Sequence, residues 1–226
     1  MLADFLTLFF PRTCYLCGRG RLSPEPFLCS SCLLTLPRER NYDGRDNNTC
    51  MRIRGMIPFT RAFSFLRFHK GGSIQQLLHL VKYSRKPELG IQLGRWFAAE
   101  TLLTFRDHFD IIVPVPLHQK RLKTRGYNQC LVIAQGIAEI TGHRICEILK
   151  REHATHTQTA LNRWERFENT ANEFKMLDSE VVDISWIKDK RVLLLEDIIT
   201  TGATMTGAAI PLLRLGASVA VASLAL

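Results

Sequence analysis

The stretch VLLLEDIITTGATMTG, residues 192–207, decides the fold of this chain of 226 residues. Its first four residues are apolar and predict a buried strand, which runs directly into Glu196 and Asp197. Ligands of open α/β sheets bind at the carboxyl ends of the strands, so we expect both carboxylates at the mouth of a ligand site. The turn that follows is small and rich in hydroxyl groups: Thr200, Thr201, Gly202, Ala203 and Thr204. Such a turn at the start of a helix is predicted to bind phosphate.

The acid pair and the turn together predict the class of ligand. Two carboxylates repel a bare phosphate, but they accept hydrogen bonds from sugar hydroxyls and attract Mg²⁺, so a sugar phosphate fits. A Walker B strand is an alternative, but it requires a GxxxxGK[ST] loop, and no glycine in the chain precedes a lysine. A strand that ends in a capped turn without a ligand explains the threonines and the glycine, but not two adjacent acids.

The rest of the chain alternates between the helical period of 3.6 residues and short apolar runs typical of buried strands. The expected elements, in chain order, are helix 74–81, helix 89–97, strand 111–116, helix 129–141 with Asn128 as its cap, strand 145–149, strand 192–195, helix 205–216 and strand 217–226. Alternating strands and helices predict an α/β fold with a mostly parallel sheet flanked by helices.

Two CxxC pairs near the start of the chain predict a metal site. The pairs are CYLC and CSSC, with 11 residues between them, and they contain Cys14, Cys17, Cys29 and Cys32. This spacing is typical of a zinc ribbon, and a small segment with almost no core requires such a staple. Four sulfur ligands leave no position for water, so the zinc is expected to be structural. Two redox-active CxxC pairs are the alternative.

Composition predicts a boundary after the cysteine-rich segment. Residues 38–49, RERNYDGRDNNT, resemble a linker, and we place a small zinc-ribbon domain with its linker at 1–50 and the α/β domain at 51–226. The opening MLADFLTLFF is short and acidic rather than basic, so neither a signal peptide nor a membrane span is expected, and the protein is expected to be cytoplasmic. The remaining cysteines, Cys50, Cys130 and Cys146, are interpreted as small apolar side chains.

A basic segment follows the strand predicted at 111–116. Between Leu117 and Asn128 the chain carries four cations and no acid: Lys120, Arg121, Lys123 and Arg125. Together with the formal net charge of +9, this predicts a loop that binds a polyanion. Arg121 and Arg125 are the stronger candidates, because a guanidinium group contacts two phosphate oxygens at once. A solvated basic turn without a ligand is the alternative.

The stretch VLLLEDIITTGAT resembles the phosphoribosyl pyrophosphate (PRPP) signature of the type I phosphoribosyltransferases. The resemblance implies that Glu196 and Asp197 hold the ribose hydroxyls and that residues 200–204 surround the 5′-phosphate. Many members of that family have two aspartates at the acid pair, whereas this chain has Glu followed by Asp. A carboxylate is kept at both positions, so the implied role is unchanged.

Three further stretches extend the resemblance over nearly the whole chain. IIVPVPLHQKRLKTRGYNQ (111–129), LVKYSRKPELG (80–90) and the two CxxC pairs together resemble the ComF family, which joins a zinc ribbon to a type I phosphoribosyltransferase domain. The resemblance implies that the pyrophosphate of PRPP is bound by three basic residues: Lys120, Arg121 and Arg125. It also implies that residues 151–174 form a flexible loop that closes over PRPP, with Arg151, Gln158 and Arg166 as its candidate site residues. His153 and His156 are acid or base candidates there, although exposed histidines are more often inert.

The resemblance implies a phosphoribosyltransferase that binds PRPP with Mg²⁺ and serves DNA uptake or nucleotide use. The acceptor is an unidentified nitrogen nucleophile, and the zinc ribbon and linker are where its specificity is expected. A function of another class stays open: a non-catalytic accessory factor that binds PRPP and single-stranded DNA and works with competence proteins such as a ComF helicase. The net charge and the zinc ribbon favour that alternative, whereas the intact acid pair favours the enzyme.

Overall fold

The computed structural model describes residues 13–20, 27–41, 43–152, 173–177 and 185–226. At its centre is a five-stranded sheet in the order β1-β7-β6-β2-β3, with every neighbouring pair parallel. The strands of this sheet are β1 (Ala62–Leu66), β2 (Ile111–Pro114), β3 (Arg144–Ile145), β6 (Arg191–Ile198) and β7 (Ser218–Ala225). A second, antiparallel pair consists of β4 (Leu149–Arg151) and β5 (Phe174–Met176). The predicted mostly parallel sheet is confirmed.

Helices cover both faces of the sheet. The α-helices are α1 (Ser30–Leu34), α2 (Asn48–Ile53), α3 (Ser73–Tyr83), α4 (Pro87–Phe97), α5 (Gln119–Arg125), α6 (Gln129–Thr141) and α7 (Ala203–Arg214). Successive side chains of a strand point to opposite faces, so Leu193 and Leu195 of β6 join the core under α3, α4 and α6. Val192 and Leu194 join the second core, under α2 and α7. The strand is therefore buried on both sides, as its apolar run predicted.

Helices α4 and α6 cross with their backbones in contact. A Cβ atom on Gly136 would lie 1.9 Å from the carbonyl oxygen of Ile91, and a Cβ on Gly94 would lie 2.1 Å from that of Ile133. Only hydrogen fits at these distances, so two glycines set the spacing of the helix pair. The pair in turn fixes where α6 begins, and Asn128 caps that start by accepting from the N–H of Cys130 at 3.0 Å.

Most of the expected elements are confirmed, with differences of a few residues at their ends. The segment 145–149 is an exception, because Ile145 pairs with β2 whereas Leu149 pairs with β5, so the chain leaves the parallel sheet between them. The sequence analysis also omitted β1. That strand is buried along its whole length and pairs with β7 at the edge of the sheet.

The segment with a linker's composition is hydrogen-bonded to β1. The side-chain amides of Asn41 and Asn47 donate to the carbonyl oxygens of Ser64 and Ala62, both at 2.8 Å, and the hydroxyl of Thr49 donates to that of Ser64 at 2.8 Å. Residues 41–49 therefore hold α2 against the edge strand, and the boundary at residue 50 stays a prediction.

Residues 1–12 lie outside the described part of the chain. Among the described residues, no helix is long and apolar enough to cross a membrane.

Candidate functional site

The carboxyl ends of β2 and β6 open into a cavity of about 300 Å³, called the edge cavity below. Its wall contains residues from each group that the sequence analysis singled out at this edge: Arg121, Arg125, Arg151, Glu196, Asp197, Thr200 and Thr204. The acids, the hydroxyl turn and the basic segment are therefore brought together, as the order of strands and turns predicted. Thr201, Gly202, Ala203 and Lys120 do not line this cavity and are described with their own elements below.

Glu196 is a buried acid at the end of β6, with 8% of its surface exposed. Burial raises its pKa to about 8, and the neighbouring charge of Asp197 adds to the rise, whereas Lys82, Arg151 and a hydrogen bond with Thr204 oppose it. Glu196 therefore carries a proton at neutral pH and is able to donate a hydrogen bond as well as accept one. A cation brought into the cavity would favour its ionised form.

Asp197 is buried beside Glu196 and is compensated by charge. Its Oδ2 atom forms an ion pair with Nζ of Lys82, which lies in the last turn of α3. Its Oδ1 atom accepts from Nε2 of Gln129 at 3.3 Å, in the first turn of α6. The end of an apolar strand and two helix ends thus meet at one carboxylate.

The basic segment is a helix, whereas the sequence analysis predicted a loop. Helix α5 is capped by His118, whose Nδ1 accepts from the N–H of Lys120 at 3.3 Å, and it ends at Gly126 with φ of +87°. No apolar stripe marks this short helix, since its one apolar residue, Leu122, is 41% exposed. Its cations also line an adjoining cavity of about 630 Å³, whose wall is Lys82, Tyr83, Arg85, Lys120, Arg121, Thr124 and Arg125. A strongly positive wall of this kind suits a polyanion.

The turn after β6 leads into helix α7 through Gly202, whose φ of +83° is in the left-handed region. Ala203 is the first residue of the helix, so the backbone N–H groups of this turn point out of a helix N-terminus. The guanidinium of Arg52 in α2 donates to the carbonyl oxygen of Thr200, so the turn is joined to α2. Thr201 opens on the other side of the turn, into a different cavity.

Arg151, the first residue of the predicted closing loop, makes several contacts within the described part of the chain. It lies in β4, its guanidinium is paired with Glu173 at 2.9 Å, and it lies over the ring of Phe174 with 5.1 Å to the centroid. Its side chain is only 10% exposed, and it forms part of the wall of the edge cavity. The other residues proposed for the closing loop fall outside the described residues: His153, His156, Gln158 and Arg166.

The four N-terminal cysteines form one cluster. All four sulfur atoms lie within 4.8 Å of one another, and Sγ of Cys17 lies 3.8 Å from Sγ of Cys29. Tetrahedral zinc with Zn–S bonds of about 2.3 Å places its sulfurs about 3.8 Å apart, so the donor set fits a zinc ion. Burial raises the pKa of Cys14, but hydrogen bonds from the backbone of Cys17 and Cys29 outweigh burial and lower it to about 6. The geometry favours one metal centre over two separate redox pairs.

Three residues of the edge cavity were missed by the sequence analysis: Lys82, Tyr83 and Gln129. A signal for the first two was present, because KYSRK at 82–86 is basic and immediately follows an amphipathic helix. The signal for Gln129 was its place at the start of the helix that follows strand 111–116, because the connections after parallel strands lie at the edge of the sheet where ligands bind. The scattered cysteines Cys50, Cys130 and Cys146 are buried in the core, as predicted.

Comparison with known proteins identifies relatives over most of the chain. It is 31% identical over 210 residues to the DNA utilization protein YhgH of Escherichia coli K12, an alignment that covers 91% of this chain and 86% of the relative. It is also 31% identical to YhgH of Salmonella typhi, with 93% and 95% covered. Competence protein F of Haemophilus influenzae is 33% identical over 108 residues, with 47% of this chain and 45% of the relative covered. No protein-family model matches the chain.

A solved structure also aligns with the chain. It is the glutamine PRPP amidotransferase from B. subtilis complexed with ADP and GMP, with a TM-score of 0.39 and 21% identity. The alignment covers 63% of this chain but only 26% of that enzyme, so the chain spans about a quarter of its length. A likeness of this size carries no argument about function, and the fold described above rests on the strand order and packing of the chain itself.

Proposed function

Because this chain belongs to the ComF family, we propose that it binds PRPP with Mg²⁺ and transfers the phosphoribosyl group to a nitrogen acceptor. The edge cavity carries the proposal, because a buried acid pair and two arginines of α5 line the same space of about 300 Å³. An acid pair suits sugar hydroxyls and guanidinium groups suit phosphates, so the cavity matches a ligand that contains both.

Each part of PRPP has a matching group in the proposed complex. The ribose 2′ and 3′ hydroxyls bind Glu196 and Asp197, and the 5′-phosphate binds the N–H groups and hydroxyls of residues 200–204. The diphosphate lies toward Arg121 and Arg125, with Lys120 in the adjoining cavity. Carboxylate and diphosphate oxygens are the ligands that Mg²⁺ prefers, so Glu196 and Asp197 are the residues that would contact it, and the ion would neutralise diphosphate charge.

The proposed reaction is a displacement at C1′ of the ribose. The bond from C1′ to the diphosphate breaks, and its electron pair leaves with pyrophosphate. The lone pair of the acceptor nitrogen forms the new C1′–N bond, and the nitrogen releases a proton to water. Arg121, Arg125 and Arg151 stabilise the charge that develops on the leaving group, while Glu196 and Asp197 hold the ribose in place.

We further propose that the cysteine cluster holds one structural zinc ion. The four thiolates would complete a tetrahedral site with no position for a substrate, so the ion would fold the segment rather than take part in the reaction. In this proposal residues 1–50 form the zinc ribbon and linker, residues 51–226 form the phosphoribosyltransferase-like domain, and the protein works in the cytoplasm.

The direct test is the release of pyrophosphate from PRPP with Mg²⁺ and a panel of nitrogen acceptors. Arg121→Ala removes one leaving-group contact, and we expect a rate about 10²-fold lower. Arg106→Ala is the matched control, because that side chain is exposed and lines neither the edge cavity nor the adjoining cavity. Failure of PRPP with Mg²⁺ to raise the melting temperature, together with no pyrophosphate release, would rule out the proposed function.

A second candidate function is a non-catalytic factor that binds PRPP and single-stranded DNA. Tyr83 favours it, because the residue is 65% exposed and its ring lies under the guanidinium of Arg125. The ring centroid of Tyr83 is 4.8 Å from that of His79, with the two rings tilted by 42°. Exposed aromatic rings among cations form the platforms that bind single strands. The names of the relatives, DNA utilization protein and competence protein, agree with it. Here PRPP would bind without turnover, and competence proteins such as a ComF helicase would be partners.

A further inference from the structure

A pair of cavities on the other side of β6 has no role in the site described so far. They have volumes of about 520 and 600 Å³ and share four lining residues: Glu39, Asn48, Met51 and Arg67. Thr201 lines the larger one, whereas its neighbour Thr200 lines the edge cavity, so the turn proposed to bind the 5′-phosphate borders both sites. The pair is called the Glu39 cavity below. Volumes of this size suit a small organic ligand.

Glu39 is a buried carboxylate with one unused oxygen. Its side chain is 4% exposed, and Oε1 accepts from Nδ2 of Asn48 at 2.9 Å and from the N–H of Arg40 at 3.1 Å. Among the residues that the structure describes, none donates a hydrogen bond to Oε2. Nε of Arg67 forms an ion pair with it at 3.7 Å, a separation too long for a hydrogen bond. A buried carboxylate oxygen without a donor is costly, so it points to a ligand that supplies one.

The other walls of the Glu39 cavity describe the rest of that ligand. Met51 is 66% exposed although it is apolar, and Met56 and Phe68 line the same space. Methionine and phenylalanine pack well against flat rings. The walls also carry basic side chains: Arg40, Arg52, Arg67 and His69. Their N–H groups can donate to ring nitrogens or carbonyl oxygens, whereas Oε2 of Glu39 requires a donor, so the ligand that fits is a planar ring that both donates and accepts hydrogen bonds.

The sheet places this cavity on the side of β6 opposite the basic helix. The backbone N–H of Glu39 donates to the carbonyl oxygen of Phe65, which fixes Glu39 at the carboxyl end of β1. In the sheet order, β7 and β1 lie on one side of β6, and β2, which leads to α5, lies on the other. Strands are about 4.8 Å apart, so β1 lies about 10 Å from β6, a span that a ribose and an attached heterocycle fill.

We propose that the Glu39 cavity binds the acceptor of the transfer reaction and that this acceptor is a nitrogen heterocycle with an amino group. The inference rests on the proposed function, because a displacement at C1′ brings the nucleophile in from the side opposite the departing pyrophosphate. With pyrophosphate at α5, that side is the one toward β7 and β1. The amino group donates to Oε2 of Glu39, and the ring packs against Met51.

The test uses Glu39→Gln, which preserves the shape of the side chain. The glutamine oxygen keeps the acceptor role toward Asn48 and Arg40, and its NH₂ group replaces the unused Oε2. Binding of adenine, guanine and cytosine is measured by ligand-observed NMR with PRPP and Mg²⁺ present, each beside its deaminated counterpart, hypoxanthine, xanthine or uracil. Each pair exchanges an amino group for a carbonyl oxygen and adds a hydrogen to a neighbouring ring nitrogen, so its two members present opposite patterns of donors and acceptors on that edge.

We expect the parent protein to bind at least one amino base tenfold or more tightly than its counterpart, because a hydrogen bond to a buried charge is lost otherwise. Glu39→Gln should remove or reverse that preference, whereas Glu139→Gln on the exposed side of α6 should leave it unchanged. The proposal is overturned if no amino base binds, if the preference is absent, or if Glu39→Gln keeps it.

Melting temperatures with PRPP alone separate this result from the proposed function. If PRPP raises the melting temperature but no base binds, the acceptor site is wrong and PRPP binding stands. If a base binds with the expected preference but PRPP has no effect, the heterocycle cavity stands and its role as the acceptor site is overturned. Glu39→Gln should leave the PRPP effect intact, because Glu39 does not line the edge cavity.

Discussion

The cysteine cluster and the edge cavity are two polar sites built in opposite ways. The cluster takes all of its ligands from residues 14–32, and its four sulfur atoms meet within 4.8 Å. The cavity draws its side chains from distant segments, and its central ion pair joins Lys82 to Asp197. In our proposal a metal holds the first together, whereas the packing of helices on a sheet holds the second together. Each site should therefore fail for a different reason, and changes that disrupt one should spare the other.

The largest effect is expected from removing the metal of the cluster. Cys29→Ser should abolish stoichiometric zinc and cost the ribbon up to about 10 kcal/mol of binding free energy. Hydrogen exchange followed by mass spectrometry should show rapid exchange across residues 13–41, while β2 and β6 stay protected and PRPP still raises the melting temperature. Ser31→Ala is the control, because it changes the same CxxC pair without removing a ligand. Unchanged zinc content in Cys29→Ser would contradict the assignment.

The reverse experiment disturbs the helix pair and spares the metal. In Gly136→Ala the new Cβ would lie 1.9 Å from the carbonyl oxygen of Ile91, so α4 and α6 must separate. We expect a loss of about 3 kcal/mol in the free energy of unfolding in urea, with zinc still bound to the folded protein. Gly20→Ala is the control, because nothing lies within 4 Å of its Cβ. An unchanged urea midpoint in Gly136→Ala would show that the helices adjust.

The same contrast explains how much of the structure could be predicted from the sequence. Spacing and periodicity are local, so the CxxC cluster, the run into Glu196 and the helix after Asn128 were all predicted correctly. Strand β1 was missed because Ser64, in the middle of AFSFL, breaks the apolar pattern. The structure buries that serine by bonding its hydroxyl to those of Thr49 and Ser223. The hydrogen-bonding partner Ser223 lies far along the chain from Ser64, so the local sequence pattern around Ser64 does not indicate the bond.

For the edge cavity, the sequence predicted which residues gather there but not which of them contact one another. Both acids and both arginines of α5 were expected at one edge, because parallel strands all end there. The pairing of Lys82 with Asp197 and the placing of Arg151 by Glu173 depend on strand order and on a hairpin, which sequence periodicity does not specify. Helix α5 was predicted as a loop because it has no apolar stripe and is held by its cap instead.

The next effect concerns ligand binding in the edge cavity. Asp197→Asn keeps the shape of the side chain but removes the charge that faces Lys82 and the ribose hydroxyls. We expect PRPP with Mg²⁺ to bind about 10-fold to 100-fold more weakly by calorimetry, because hydrogen bonds to a charged group are worth about 1.5–3 kcal/mol. Zinc content should not change. Asp107→Asn, at a side chain that is 91% exposed, is the control, and equal affinity in both variants would place the ribose elsewhere.

The effect of a single pH unit is the smallest, at most about 1.4 kcal/mol, and it follows from the raised pKa of Glu196. Proton linkage fixes its sign. Burial raises this pKa from 4.5 in the unfolded chain to about 8 in the fold. Between those values the folded protein holds a proton that the unfolded chain has released, so rising pH favours unfolding. Stability from this group therefore falls as pH increases from 4.5 to 8, and it is constant below and above that window.

The measurement compares the pH dependence of stability in the parent and in Glu196→Gln. The slope due to one proton is at most about 1.4 kcal/mol per pH unit, and the glutamine variant should lack it because its side chain is neutral at every pH. The difference between the two curves isolates Glu196 from the other titrating groups, the cysteine cluster included. Glu88→Gln, at an exposed carboxylate of α4, should follow the parent curve. Parallel curves for the parent and Glu196→Gln would contradict the prediction, because they would mean that Glu196 is ionised in the folded protein. Its cavity would then have to be more positive than Lys82 and Arg151 alone make it.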